Sequence, residues 1–179
     1  VLGFAQFIKI VDGETVLISN GFAPTFGAAW DSNPYAAQWS LVVGGPPTNT
    51  KEVVMDVVTA ENHDFSVGDR VTVLAGATPA SFTIVGIAEF ANVGAPGGAT
   101  FALFEFRTAQ KLLDSKGEVD LINVVIENNF DINDVKTEIT NLDSKNLNVI
   151  NAQEAAAEQA DSIKQGLDSS IQYSMYLLE

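Results

Sequence analysis

The chain has 179 residues, a net charge of -14 and no cysteine, with 46% hydrophobic and 18% charged residues. This composition suffices for a real core and is not that of a disordered chain. The acidic balance repels phosphate backbones and argues against nucleic-acid binding, and the missing cysteines exclude disulfides, thiol nucleophiles and thiolate metal sites.

In chain order, Phe4, Phe7, Ile8, Ile10 and Val11 predict a first strand, Asp12-Gly13 a tight turn, and Thr15 to Ile18 the returning strand. From Phe22 to Tyr35, Pro24, Gly27, Asn33 and Pro34 predict loop with at most a short helix. Gln38 to Val43 reads as a strand, which Gly44-Gly45-Pro46-Pro47 stops. Short β-branched strands follow at Glu52–Val58, Val71–Ala75 and Phe82–Ile87, with Thr59 capping a helical turn and Val67-Gly68-Asp69 turning the chain. Gly94-Ala95-Pro96-Gly97-Gly98 has no Lys-Ser or Lys-Thr after it and reads as a connector, not a phosphate cradle.

After Thr100 the pattern becomes β-α-β-α-β. Strands are expected at Phe101–Phe106, Leu121–Ile126 and Leu147–Ile150. Thr108 caps a short helix that Gly117 ends, and Asp131 caps a helix whose apolar face is Ile132, Val135, Ile139 and Leu142. From Ala152 to Leu178, apolar residues at steps of three and four predict one long helix, roughly 40 Å at ~1.5 Å per residue. No stretch supplies the ~18 uninterrupted apolar residues of a membrane-crossing helix.

Candidate chemistry is sparse. His63 is the only histidine, in a polar run suited to a solvated or capping role. Glu52, Asp56, Glu89 and Glu105 sit in or beside strands; an acid-pair hydrolase would need two of them to converge across a cleft. Asp131, Asn133 and Asp134 alternate as calcium ligands do, but no twelve-residue loop ending in glutamate follows. Trp30, Tyr35 and Trp39 cluster in a loop-rich region, where they either roof the core or form a partner-binding shelf. No cofactor and no metal is expected.

One ordered set of short motifs carries a family likeness: Gly44-Gly45-Pro46-Pro47, Glu52-Val53-Val54-Met55-Asp56, Thr59-Ala60, Val67-Gly68-Asp69-Arg70-Val71-Thr72-Val73, and Phe82-Thr83-Ile84-Val85-Gly86-Ile87. It resembles the corresponding stretch of the extracytoplasmic domain of FtsX/MacB-type ABC transporter permeases. Within it Glu52, Val67, Gly68, Asp69 and Gly86 read as structural: Gly68 permits the turn, Asp69 bonds local backbone, and the flanking valines fill a barrel interior.

The resemblance implies an α+β fold: a porter-like α/β sandwich of βαβ units (residues 1–50 and 99–179) interrupted by a small β-rich subdomain (51–98), with the terminal helix as a stalk. It implies placement on the outer side of a cell membrane and no catalytic residues. The implied partners are an ABC ATPase subunit, a second permease copy, and a lipid, peptide or cell-wall enzyme. The alternatives are a secreted carbohydrate- or peptide-binding module using Trp30, Tyr35 and Trp39, and an acid-pair hydrolase built on Glu52 and Asp56.

Overall fold

The computed structural model describes residues 1–21, 23–33, 37–75, 78–91, 95, 98–142, 147–151 and 153–154. The architecture is mixed α+β, and the chain divides into two compact units, Val1–Val124 and Val125–Glu179.

Among the described residues the first unit holds nine strands: β1 (Leu2–Phe4), β2 (Gln6–Val11), β3 (Glu14–Ile18), β4 (Thr25–Ala29), β5 (Trp39–Gly44), β6 (Glu52–Asp56), β7 (Arg70–Leu74), β8 (Ala80–Phe90) and β9 (Thr100–Phe104). It also holds two short helices, α1 (Val57–Asn62) and α2 (Phe106–Leu112). The strands form one sheet in the order β1-β4-β9-β6-β8-β7-β2-β3, with β5 beside β8. Strands from all three segments, 1–50, 51–98 and 99–179, therefore share hydrogen bonds in one sheet. A single residue, buried Ala5, separates β1 from β2, yet these strands lie near opposite ends of the path. The sheet curls so that one bent strand serves both ends, Phe4 facing Phe26 of β4 and Phe7 facing Val73 of β7.

The curl creates an inside and an outside. Strand alternation sends Phe7, Ile18, Val71, Val73, Phe82, Ile84 and Phe104 into the main core, where Phe82 and Phe104 meet edge to face at 4.9 Å. A smaller cluster of Ala28, Val54, Ala88 and Leu103 forms on the opposite face. Strand β6 feeds both, so Val53, Val54 and Met55 are all fully buried and read as an unbroken apolar run.

Several predicted elements are corrected. Thr25–Ala29 is a strand, not loop: Pro24 lies just before it, and Gly27 packs closely, with the Leu113 side chain 3.3 Å from where a Cβ would stand. The helix after β6 begins at Val57, capped by Asp56, whose Oδ1 accepts from Thr59 N at 2.8 Å; Thr59 does not cap. Likewise Glu105, not Thr108, caps α2, accepting from the amides of Arg107 and Thr108 at 3.0 Å. Leu121–Ile126 forms no strand, and Leu121 and Ile122 stay exposed. A strand needs a neighbour's open edge, and both edges of β9 are taken, by β4 and β6. The β-α-β-α-β order after Thr100 is therefore absent among the described residues.

In the second unit, α3 (Ile132–Leu142) forms as predicted, with Asp131 Oδ1 accepting from Asn133 N at 2.8 Å. Leu147–Ile150 has no strand structure. Asn151 and Glu154 form a reciprocal box: Asn151 Oδ1 accepts from Glu154 N at 2.8 Å, and Glu154 Oε2 from Asn151 N at 2.9 Å. That is a helix-opening arrangement, at the start predicted for the terminal helix. The predicted stalk beyond it lies outside the described residues. No helix among the described residues is long and apolar enough to cross a membrane.

Candidate functional site

The residues that carried the family likeness converge where β5, β6 and β8 meet. Strand β8 is eleven residues long and shares one edge between two partners: Ala80–Thr83 pairs with β7, and Gly86–Phe90 pairs with β5. At the changeover the backbones nearly touch. A Cβ on Gly86 would stand 2.4 Å from Gly45 O, and one on Gly44, at φ +81°, would stand 2.2 Å from Val85 O. Only glycine fits both positions.

The Val67-Gly68-Asp69 turn clamps the neighbouring part of β8. Gly68, at φ +102°, donates its amide to Ile84 O, and Ile84 donates to Asp69 O, both at 2.8 Å. Asp69 Oδ2 accepts from Ser66 N at 2.9 Å, closing the turn as the sequence predicts. Val71 and Val73 fill the interior, but Val67 is 45% exposed and does not. The turn projects it outward. Glu52 accepts from the amide and hydroxyl of Thr48 at 2.7 and 2.8 Å, and these bonds hold its carboxyl below the ordinary glutamate value.

Asp56 is fully buried. Its Oδ1 caps α1 and its Oδ2 accepts from Phe101 N at 2.8 Å, so one carboxylate ties the end of β6 to both α1 and β9. Burial pushes its pKa up, against the lowering effect of these N–H groups. Beside it, Thr59 Oγ1 meets Thr100 Oγ1 at 3.2 Å and accepts from Asn20 Nδ2 at 2.9 Å.

The acids that a hydrolase would need are thus occupied at turn and helix ends: Glu52 on Thr48, Asp56 on α1 and β9, Glu105 on α2. His63 Nε2 lies 3.1 Å from Ser19 O, joining the end of α1 to the segment after β3. Among the described residues, no three His, Asp or Glu side chains gather as a metal site would require.

A row of aromatic rings crosses the outer sheet face, with Phe4 exposed at one end, Phe101 buried, and Phe26, Trp39 and Phe90 half-buried. Phe4, Phe26, Phe101, Trp39 and Phe90 follow one another at centroid separations of 5.1, 5.3, 5.2 and 5.3 Å. Neighbouring strands ~4.8 Å apart set this spacing, through the pairs Phe4–Phe26, Phe26–Phe101 and Trp39–Phe90. Of the three aromatics singled out in the sequence, Trp39 lies in the row. Trp30 packs, half-buried, against the small outer cluster and donates its amide to Phe104 O at 2.8 Å. Tyr35 lies outside the described residues. The four phenylalanines escaped notice because they come from four separate strands; only the register brings them together.

The motif residues serve strand crossing, turn closure and capping. The model of the MacB-like periplasmic core domain matches residues 6–142. The chain belongs to that family. No curated protein matches it. The match spans β2 to α3. It therefore takes in the β5–β8 changeover, the Val67-Gly68-Asp69 turn and most of the aromatic row. Membership in the MacB-like family makes this a domain of ABC transporter permeases, which places it on the extracytoplasmic side.

Proposed function

We propose that the chain is a non-catalytic extracytoplasmic domain of an FtsX/MacB-type permease. It couples ATP hydrolysis by a cytoplasmic ABC ATPase to work outside the membrane: substrate export, handling of a lipid, lipoprotein or peptide, or control of a cell-envelope partner. The observation that carries the reading is the family match over residues 6–142, together with motif residues spent on rigidity. A curled sheet locked at its strand changeover suits a body that moves as a unit. On this reading 51–98 is a β-rich insert in a porter-like body, and the segment after Asn151 runs as a stalk toward the membrane.

The chain has no cysteine, so Val67→Cys at an exposed turn puts a single thiol in this domain, and any cysteine elsewhere in the permease is replaced by serine. A maleimide that cannot cross the inner membrane is expected to label this thiol in intact cells carrying the full-length permease. Labelling only after the cells are lysed would sink the placement.

A second reading has one observation in its favour. Trp39 stands in an aromatic row on an outer sheet face, as a shelf for a carbohydrate or peptide would require. Glycan or peptide binding that disappears in Trp39→Ala, by a protein without ATPase coupling, would favour that reading.

A further inference from the structure

We propose that the β3 edge and the groove beside it form a docking site for a basic polypeptide segment, which adds as a strand and inserts one bulky apolar side chain. The site goes beyond the coupling role above and does not depend on it.

Three observations define the occupant. First, β3 ends the sheet path: it pairs with β2 on one side, and no other strand joins it among the described residues. Its residues Glu14–Ile18 include no proline or lysine, the residues that usually block an edge, and Val16 and Leu17 are 39% and 55% exposed. An open row of backbone N–H and C=O groups selects an extended polypeptide over an acyl chain, which has nothing to pair with them.

Second, a groove of about 420 Å³ runs beside the end of β3, where the bent strand passes from β1 to β2. Its lining is mixed: Phe4, Leu17, Ile18, Pro24 and Leu74 are apolar, Gln6, Ser19 and Thr25 are polar, and none of the described lining residues is charged. Phe4 is 79% exposed, so nothing else among the described residues covers the mouth. A pocket of this size and lining takes a large side chain and rejects a charged one.

Third, the edge and the unit are acidic. Asp12 and Glu14 are exposed at the turn into β3, and residues 1–124 contain thirteen Asp and Glu against six Lys and Arg. A partner with basic residues flanking its apolar anchor is drawn to such a field, and an acidic one is repelled.

The test uses the 179-residue chain and three blocked pentapeptides followed by amide NMR. One is Lys-Val-Trp-Val-Lys, one is Glu-Val-Trp-Val-Glu, and one is the basic peptide N-methylated on alternate amides. The basic peptide is expected to bind saturably and to shift the amides of Glu14–Ile18 and the residues around Phe4. Charge reversal, N-methylation, Phe4→Ser and Leu17→Ser should each weaken binding about tenfold or more. Val43→Ser, at an exposed position on β5, which pairs with β8 and supplies none of the groove's described lining, should leave it unchanged. Phe4→Ser also removes the stack on Phe26, so its Tm is measured beside that of Leu17→Ser, and binding is compared at a temperature where both variants are folded. The proposal fails if the N-methylated or acidic peptide binds as well as the basic one, if the shifts map elsewhere, or if Phe4→Ser has no effect. It also fails if dodecyl maltoside below its micelle concentration shifts the groove while the peptides do not.

Discussion

Replacing Gly86 with alanine tests the reading of the strand changeover most sharply. The new methyl would stand 2.4 Å from Gly45 O and 2.9 Å from Leu41 Cδ2. A side chain can turn away, but Gly45 O belongs to backbone held by the Gly45 N to Val85 O bond at 3.0 Å. The strands must separate by more than half an ångström, at the one place where β8 hands its edge from β7 to β5. Overpacking of this kind costs about 1–3 kcal/mol. Gly44→Ala should cost more, because its φ of +81° adds left-handed strain of about 1–2 kcal/mol to a 2.2 Å clash with Val85 O. At roughly 2–4 °C per kcal/mol for a chain of this size, Gly86→Ala should lower Tm by about 2–12 °C and Gly44→Ala by more. The double variant should lose less than the sum, since both methyls open the same contact. Urea and thermal unfolding measure all three. A Gly86→Ala protein within 1 °C of the parent would refute the close-approach argument, and full additivity would refute the single-contact argument.

Other substitutions probe the caps and the row. Asp56→Ala leaves Thr59 N and Phe101 N buried without an acceptor, at about 1–3 kcal/mol each, and should cost about 2–5 kcal/mol in urea unfolding. Since burial raises the Asp56 pKa above 3.8, the folded state takes up its proton before the unfolded state does. The parent should therefore gain stability relative to Asp56→Asn as pH falls through that raised value, and lose the gain as pH rises. Glu105 behaves oppositely: the Arg107 amide holds its carboxyl below 4.5, so its contribution is present above that value and fades as pH falls through the lowered one. Glu105→Ala should cost about 1 kcal/mol at pH 7 by unfolding α2's first turn, visible by circular dichroism as a lower Tm. Trp39→Ala removes the link between Phe101 and Phe90; because Trp39 is only half-buried, about 2 kcal/mol is expected, below the 3–5 kcal/mol of a fully buried ring.

What the sequence made legible is what local chemistry decides. The Asp12-Gly13 turn with its flanking strands, the Gly44-Gly45 stop, the Val67-Gly68-Asp69 turn and the Asp131-capped helix all appear as read. Each depends on residues within a few positions of one another. The misreadings share another physical cause. Both misplaced caps stand three residues before a threonine, Asp56 before Thr59 and Glu105 before Thr108. In each case a strand's last carboxylate performs the capping that the threonine seemed suited to. Thr25–Ala29 looked like loop because its strand character comes from β1 and β9 alongside, not from its own small residues. Leu121–Ile126 has the opposite mismatch, a strand-like composition that pairs with no strand, the edges of β9 being taken by β4 and β6. The aromatic row was invisible for the same reason: cross-strand register places Phe4, Phe26, Phe101, Trp39 and Phe90 side by side, and the sequence scatters them over 98 positions.

The account's central claim is that this body transmits ATP-driven movement. The most direct test is the distance between two spin labels on Val67→Cys in the full-length permease dimer, reconstituted with its ATPase in lipid. Because the turn at Gly68 is clamped to Ile84, the label reports on the body and not on a loose loop. The account predicts two distinct distances, one without nucleotide and one with ATP trapped, and no change with an ATPase unable to bind ATP. A distance that stays the same through the ATP cycle would contradict it.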